Sequence, residues 1–231
     1  MGRELLIVGA GPGLSLASAR RFGAEGYRVH LLGRSQERLE GLRDVLAAEG
    51  AEAEVHPADI TDHAALTALV EDLDRETPLD ACIFQPGGRS GDLVDVLDAT
   101  VANVRHNLEL LVLGAVAVGA ALAGPMARRG SGTLVFVGGG SARLPLRDFG
   151  NLGMAMAGLR NYALTLSAAL SGTGAHAAFY TVAGMIATAT PEPGQLDPQE
   201  LAARMWTLVD GQDAREVLMT PQGEIVPKGA R

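Results

Sequence analysis

The chain has 231 residues, 47% hydrophobic and 20% charged, enough to bury a large core without covalent staples. A net charge of −8 argues against nucleic acid or an anionic membrane surface as a partner. One cysteine, Cys82, excludes an internal disulfide and a cysteine-based zinc site; within the apolar run "ACIF" it reads as a buried strand thiol.

In chain order, apolar runs of strand length alternate with longer helical patterns, as in an α/β, doubly wound parallel sheet with helices on both faces. "ELLIVGA" is the first strand, and "LSLASARRFGAEG" a helix ending at Gly26. "YRVHLLG" is the second strand, and Ser35 is placed to cap the helix that follows. "AEAEVHPAD" is the third strand, with Asp62 as the next cap, and "LDACIFQPGG" is the fourth. A long helix covers about 101–128. Its uncharged stretch "LLVLGAVAVGAALAGPMA" is rich in Gly and Ala, which suits a helix buried on most sides better than a membrane span.

"GTLVFVGGG" is the fifth strand, and "FGNLGMAMAGLRNYALTLSAAL" supplies the next helix. "HAAFYTVAGM" is the sixth strand, and "DPQELAARMWTLVDG" a late helix with Pro198 in its first turn. No repeat or linker interrupts the pattern, so residues 1–231 are expected to form a single dinucleotide-binding domain. The start "MGRELLIVGAG" runs straight into a strand with no small-residue cleavage site, and a cytoplasmic location is expected.

The turn "VGAGPGLSLASAR" sets Gly9, Gly11 and Gly13 between a strand and a helix. Glycines there let the backbone approach a pyrophosphate, whose charge meets the helix N-terminus. The spacing misses G-x-G-x-x-G, because Leu14 falls where the last glycine belongs. It resembles instead the T-G-x-x-x-G-x-G turn of the short-chain dehydrogenase/reductase family. Gly9 and Gly13 match, Val8 replaces the threonine, and Ser15 replaces the last glycine.

The resemblance runs along nearly the whole chain. "HPADITD" looks like the family's segment after strand three, which implies that Asp59, with Ile60 beside it, lines the adenine. "FQPGG" stands at the family's N-N-A-G and keeps Gly87. "TVAGMIAT" resembles its P-G-x-x-x-T turn, with Ala183 for the proline, Gly184 kept, and Thr188 placed to meet the nicotinamide carboxamide or the pyrophosphate. The implied cofactor contacts are thus Gly9, Gly11, Gly13, Leu14, Ser15, Arg34, Ser35, Asp59, Ile60, Gly87, Gly184 and Thr188.

The end of strand two selects between the nicotinamide cofactors. "LLGRSQER" has Gly33 where an acidic residue would bind a ribose 2′-hydroxyl, followed by Arg34 and Ser35. A guanidinium suits a 2′-phosphate, and the hydroxyl can add a further bond, so NADP(H) is expected over NAD(H).

The family's Asn–Ser–Tyr–Lys set, by contrast, aligns with Leu111, Gly139, Leu152 and Met156. Shifting the register does not restore it. Tyr162 is followed four residues later by Leu166, Tyr180 has no lysine near it, and the one lysine, Lys228, is three residues from the end. The catalytic residues are therefore unknown from sequence. Ser141, Arg143, Arg147, Asp148 and Asn151 lie on the loop leading to the nicotinamide side, and His106 lies upstream of Leu111.

Three readings follow: an oxidoreductase with an atypical proton relay, a cofactor-binding sensor or scaffold subunit, or a non-redox cyclase, isomerase or lyase. The substrate is a small molecule whose identity is not legible. The resemblance also implies a homodimer or homotetramer paired through helices 101–127 and 151–171.

Overall fold

In the computed structural model, residues 2–87, 93–188 and 190–225 are described. Strand β1 (Arg3–Val8) pairs in parallel with β2 (Tyr27–Gly33) on one side and β4 (Ala81–Phe84) on the other. β3 (Ala53–Pro57) extends the sheet beyond β2. On the other side β5 (Thr133–Gly139) and β6 (His176–Val182) follow β4. The strand order therefore reverses between β1 and β4, opening a crevice outside their C-terminal ends, the usual ligand position in such sheets.

The alternation of side chains splits the core in two. Leu5, Ile7, Leu31 and Ile83 face α1 (Leu14–Ala24), α2 (Gln36–Ala48) and α7 (Pro198–Gly211). Leu6, Leu32, Phe84 and Phe136 face α3 (His63–Glu76), α5 (Gly114–Arg129) and α6 (Gly153–Leu170). The expected caps are in place: Ser35 Oγ accepts from the Arg38 amide, and Asp62 from that of Ala65. Asp197 caps α7 ahead of Pro198, and Cys82 is buried in β4. Lys228 lies outside the described residues.

Three features were not anticipated. After α7 the chain adds β9 (Glu216–Thr220), parallel to β6, and β10 (Gly223–Ile225), antiparallel to β9. Between β6 and α7, β7 (Met185–Ile186) pairs with β8 (Gln195–Leu196), a separate ribbon over the Pro-rich segment. Finally, the long helix consists of α4 (Val101–Asn107), a π-helical turn over Leu108–Leu113, and α5. His63 on α3 holds the Glu109 carbonyl of that turn at 2.9 Å. Val101–Arg129 is long and apolar enough to cross a membrane by length and composition, yet 50% of its most apolar window is buried inside the protein.

Helix α6 crosses α5 at Gly119, where the Tyr162 ring fills the space a side chain would need. The same ring meets Phe136 edge-on, with centroids 5.6 Å apart. A Cβ at Gly119 would overlap the Tyr162 hydroxyl, so Gly119→Ala should destabilise by about 1–3 kcal/mol. Adding Tyr162→Phe removes the overlapping oxygen and should restore part of the loss in a urea-denaturation double-mutant cycle.

Candidate active site

The turn after β1 is bound to both neighbouring strands. The amides of Gly9 and Ala10 both donate to the Leu32 carbonyl of β2, at 2.9 and 2.8 Å, and the Gln85 amide donates to Val8. Gly9 has φ +91°, and a Cβ there would lie 2.5 Å from Pro86 Cα, so this position requires glycine on two counts. Ser15 does more than replace a glycine. Its hydroxyl donates to the Gly9 carbonyl at 3.3 Å and accepts from the Gln85 side-chain amide. Gln85 Oε1 is buried and has no partner among the described residues.

Helix α1 starts at this turn without a side-chain cap and without an acidic residue in its first turn, whereas α2, α3, α4 and α7 all carry caps. Among the described residues, nothing beyond the adjoining chain lies within 4 Å of where a Cβ would sit on Gly11 or Gly13. An uncapped N-terminus beside open glycines leaves amide donors and room for an anion. These residues fit a dinucleotide's pyrophosphate, and Leu14, itself buried, anchors the helix start beneath them.

At the end of β2, Arg34 is exposed and forms no ion pair among the described residues. Ser35 spends its oxygen on the α2 cap but keeps its proton to donate. Asp59 is exposed, and its Oδ1 accepts from both the amide and the hydroxyl of Thr61, at 2.9 and 2.8 Å. Those two bonds, with Arg34 and His106 adding charge, hold its carboxyl below the usual range. His106, on α4, thus stands within the field of Asp59. The Ile60 side chain points into the core against Gly114, so what it offers a ligand is its main chain.

Two of the positions that the resemblance pairs, Gly139 and Met156, touch at the end of β5. The Gly139 amide donates to Met156 Sδ at 3.4 Å, and Leu152 is the residue from which α6 starts. Leu111 is buried in the π-helical turn, which packs against α6. Ser141 lies just past Gly139; its hydroxyl is buried, has no partner among the described residues, and sits 4.0 Å from where a Gly139 Cβ would be. The other tyrosines are occupied elsewhere. Tyr162 packs on Gly119, and Tyr180 donates to the Leu201 carbonyl at 3.0 Å. Burial pushes both phenols up.

Three of the remaining loop candidates, Arg143, Arg147 and Asn151, engage structural partners. Arg143 and Arg160 converge on Glu216, which is 4% exposed on β9; the Arg143 ion pair is 2.8 Å. Burial pushes the Glu216 carboxyl up, but hydrogen bonds from Arg160 and Arg143 outweigh it and hold the group below the usual range. Arg147 pairs with Asp95 at 2.6 Å, while Asp148 is exposed. Asn151 is buried; its Oδ1 accepts from the Val94 amide, and its carbonyl accepts from Asn107 Nδ2. Arg143 and Asn151 thus brace the loop through these contacts.

Gly87 is exposed beside the fourth strand's end, and Gly184 and Thr188 are exposed flanking β7. Sequence reasoning missed Gln85 and Glu216. A polar residue directly after the buried strand "ACIF" was the available signal for Gln85. Because the Glu216 carboxyl is depressed in the folded protein, its contribution is present above the ordinary carboxylate range and lost as pH falls through the folded value. Glu216→Gln should therefore be less stable than the native chain at about pH 7, with the deficit shrinking at about pH 3, in parallel urea titrations.

Several known proteins are similar. An uncharacterized oxidoreductase of Streptomyces coelicolor is 32% identical over 177 residues, 74% of this chain and 68% of that protein. The chain spans 24% of a fatty acyl-CoA reductase from Acinetobacter baylyi, at 36% identity over 72 residues. It spans 55% of a 2,3-dihydro-2,3-dihydroxybenzoate dehydrogenase from Bacillus subtilis, at 28% identity over 145 residues, or 62% of this chain. The L-sorbose reductase of Gluconobacter frateurii, solved with NADPH and L-sorbose, superposes with a TM-score of 0.80 at 22% identity, covering 90% of this chain and 89% of that one. Residues 3–195 match the short chain dehydrogenase family model, in agreement with the sheet order and the glycine turn. The chain belongs to the short-chain dehydrogenase family.

Proposed function

We propose that this chain is an NADP(H)-dependent oxidoreductase with a proton relay unlike the family's Asn–Ser–Tyr–Lys set. The observation that carries the reading is the uncapped start of α1 beside open glycines. A cofactor complex in the similarly folded L-sorbose reductase, which holds NADPH, supports it. Gly9, Gly11, Gly13, Leu14 and Ser15 form the pyrophosphate cradle. Arg34 and Ser35 take the 2′-phosphate, Asp59 and the Ile60 main chain the adenine side, and Gly87, Gly184 and Thr188 the nicotinamide side.

A bound nicotinamide would supply or take up a hydride. Around it the chain offers apolar groups at Gly139, Leu152 and Met156, with Leu111 buried in the turn beside α6 and the buried hydroxyl of Ser141 just past Gly139. That hydroxyl can donate to a substrate oxygen or nitrogen. Among the described residues no tyrosine–lysine pair provides the proton, and general acid help is worth roughly 10²–10⁴-fold. Such a site suits an electrophile needing little protonation, such as an iminium or an activated alkene. The contact of Met156 Sδ with the Gly139 amide favours a second reading, a cofactor-binding sensor or scaffold subunit.

The reading takes residues 1–231 as one cofactor-binding unit acting in the cytoplasm. It also takes the chain as a homodimer or homotetramer, because Leu113, Val116 and Met154 expose apolar surface on the two helices concerned.

Two experiments test these assignments. Charge-assisted hydrogen bonds contribute about 1.5–3 kcal/mol, so Arg34→Ser should weaken NADPH ~10–100-fold in calorimetric titrations. NADH affinity should change little. A panel of carbonyls, imines and enones should reveal NADPH consumption, and Ser141→Ala should lower kcat/KM by roughly 10-fold or more with NADPH affinity retained. Binding without consumption across the panel favours the sensor reading.

A further inference from the structure

The outer edge of the sheet carries a group of side chains that the proposed chemistry does not use. β3 is the edge strand, and its register with β2 sets His30 opposite Glu54 and Leu32 opposite His56. Because Leu6 and Leu32 belong to the core on the α3 side, the period of two sends Glu4, His30, Glu54 and His56 to that same face. Glu4 and His30 are each 5% exposed; His56 is half-buried and Glu54 exposed.

These four groups meet closely. Glu4 Oε2 lies 2.9 Å from His30 Nε2. On the opposite side of the ring, His30 Nδ1 lies 2.9 Å from His56 Nε2 and 3.9 Å from Glu54 Oε2. One donor atom each from His30, His56 and Glu54 falls within 4.8 Å of the others.

We propose that His30 Nδ1, His56 Nε2 and the Glu54 carboxylate form a binding site for a divalent transition metal ion, with Glu4 as the positioning residue behind His30. Glu4 accepts the His30 Nε2 proton, which leaves the Nδ1 lone pair directed at the point where the other two donors converge. A carboxylate behind a ligating imidazole fixes its tautomer and raises its basicity. Two imidazoles with one carboxylate select borderline ions such as Ni²⁺, Cu²⁺ and Zn²⁺ over Mg²⁺ or Ca²⁺.

The spacing supports this class. With metal–nitrogen bonds of about 2.0–2.1 Å, nitrogens 2.9 Å apart subtend about a right angle at the ion. That is the angle of a tetragonal site. Glu54 must swing inward to complete it. Its exposure leaves room for the movement, and Arg28, which now holds it at 2.8 Å, is the contact exchanged. Water fills the remaining positions at the open edge. The ion would clip β2 to β3, the strands whose ends carry Arg34 and Asp59.

The test is calorimetric titration of the untagged chain with NiCl₂ and ZnCl₂, alongside His56→Gln and Glu54→Gln. Both variants alter partly exposed groups, and their circular dichroism and melting curves establish that they fold. The expected result is one ion per native chain with micromolar or tighter affinity and a raised melting temperature. His56→Gln should lose at least ~10-fold in affinity, and Glu54→Gln should also weaken binding. MgCl₂ should not compete. Absence of Ni²⁺ and Zn²⁺ binding would overturn the proposal and leave a His56-to-His30 hydrogen bond as the purpose of the cluster. Binding that neither substitution changes would overturn it as well, by placing the ion elsewhere. The nucleotide plays no part in the titration, so the outcome is independent of the proposed activity.

Discussion

Everything around the crevice depends on one constraint, the left-handed turn at Gly9. With φ at +91° and Pro86 against its Cα, this residue admits no side chain. Two consecutive amides tied to one β2 carbonyl then swing the chain across the top of the sheet. That geometry delivers the start of α1 to the point where strand order reverses. It also leaves the first amides of α1 without an internal partner, the arrangement by which a helix N-terminus receives an anion. Ser15 and Gln85 stiffen the turn from below, linking helix, loop and β4 in one buried chain of hydrogen bonds.

Beyond that turn the crevice changes character from one end to the other. At the ends of β2 and β3, polar groups with spare hydrogen-bonding capacity gather: exposed Arg34 and Asp59 and half-buried Ser35. Toward β5 and β6 the charged groups have been withdrawn. Glu216 engages Arg143 and Arg160, Asp95 engages Arg147, and Asn151 holds the loop through Val94 and Asn107. What remains around β5 is thioether, aliphatic carbon and two buried hydroxyls, Ser141 Oγ and Thr181 Oγ1, without a partner among the described residues. A buried hydroxyl without a partner costs free energy unless something satisfies it, and a bound substrate is a natural candidate at Ser141.

Much of this was legible in the sequence, for local reasons. Apart from the edge strand β3, each parallel strand up to β6 carries a compact apolar run, and Ser35, Asp62 and Asp197 announce their helices through the amides they cap. What escaped is set by distant contacts. The strand "EVLMT" has a short apolar run, and its Glu216 finds its arginines 73 and 56 residues away. The π-helical turn contains no proline or glycine in "LELLVL"; its Glu109 carbonyl is held from 46 residues away by His63. Gln85 reads as an ordinary polar residue until the fold brings Ser15, 70 positions earlier, beneath it. Asn151, a candidate by its position on the loop, is buried, and its partners Val94 and Asn107 lie 57 and 44 residues away.

The central claim is that the glycine turn and Arg34 form a working site for a phosphorylated dinucleotide although the surface beside β5 is apolar. It is tested most directly by thermal unfolding of the native chain with NADPH, NADP⁺, NADH and NAD⁺ at matched concentrations. A ligand at a hundred times its dissociation constant stabilises by roughly 2.7 kcal/mol, a shift of several degrees for a chain of this size. The account predicts such a shift with NADPH and NADP⁺ and a smaller one with NADH and NAD⁺. Four superimposable melting curves would contradict it.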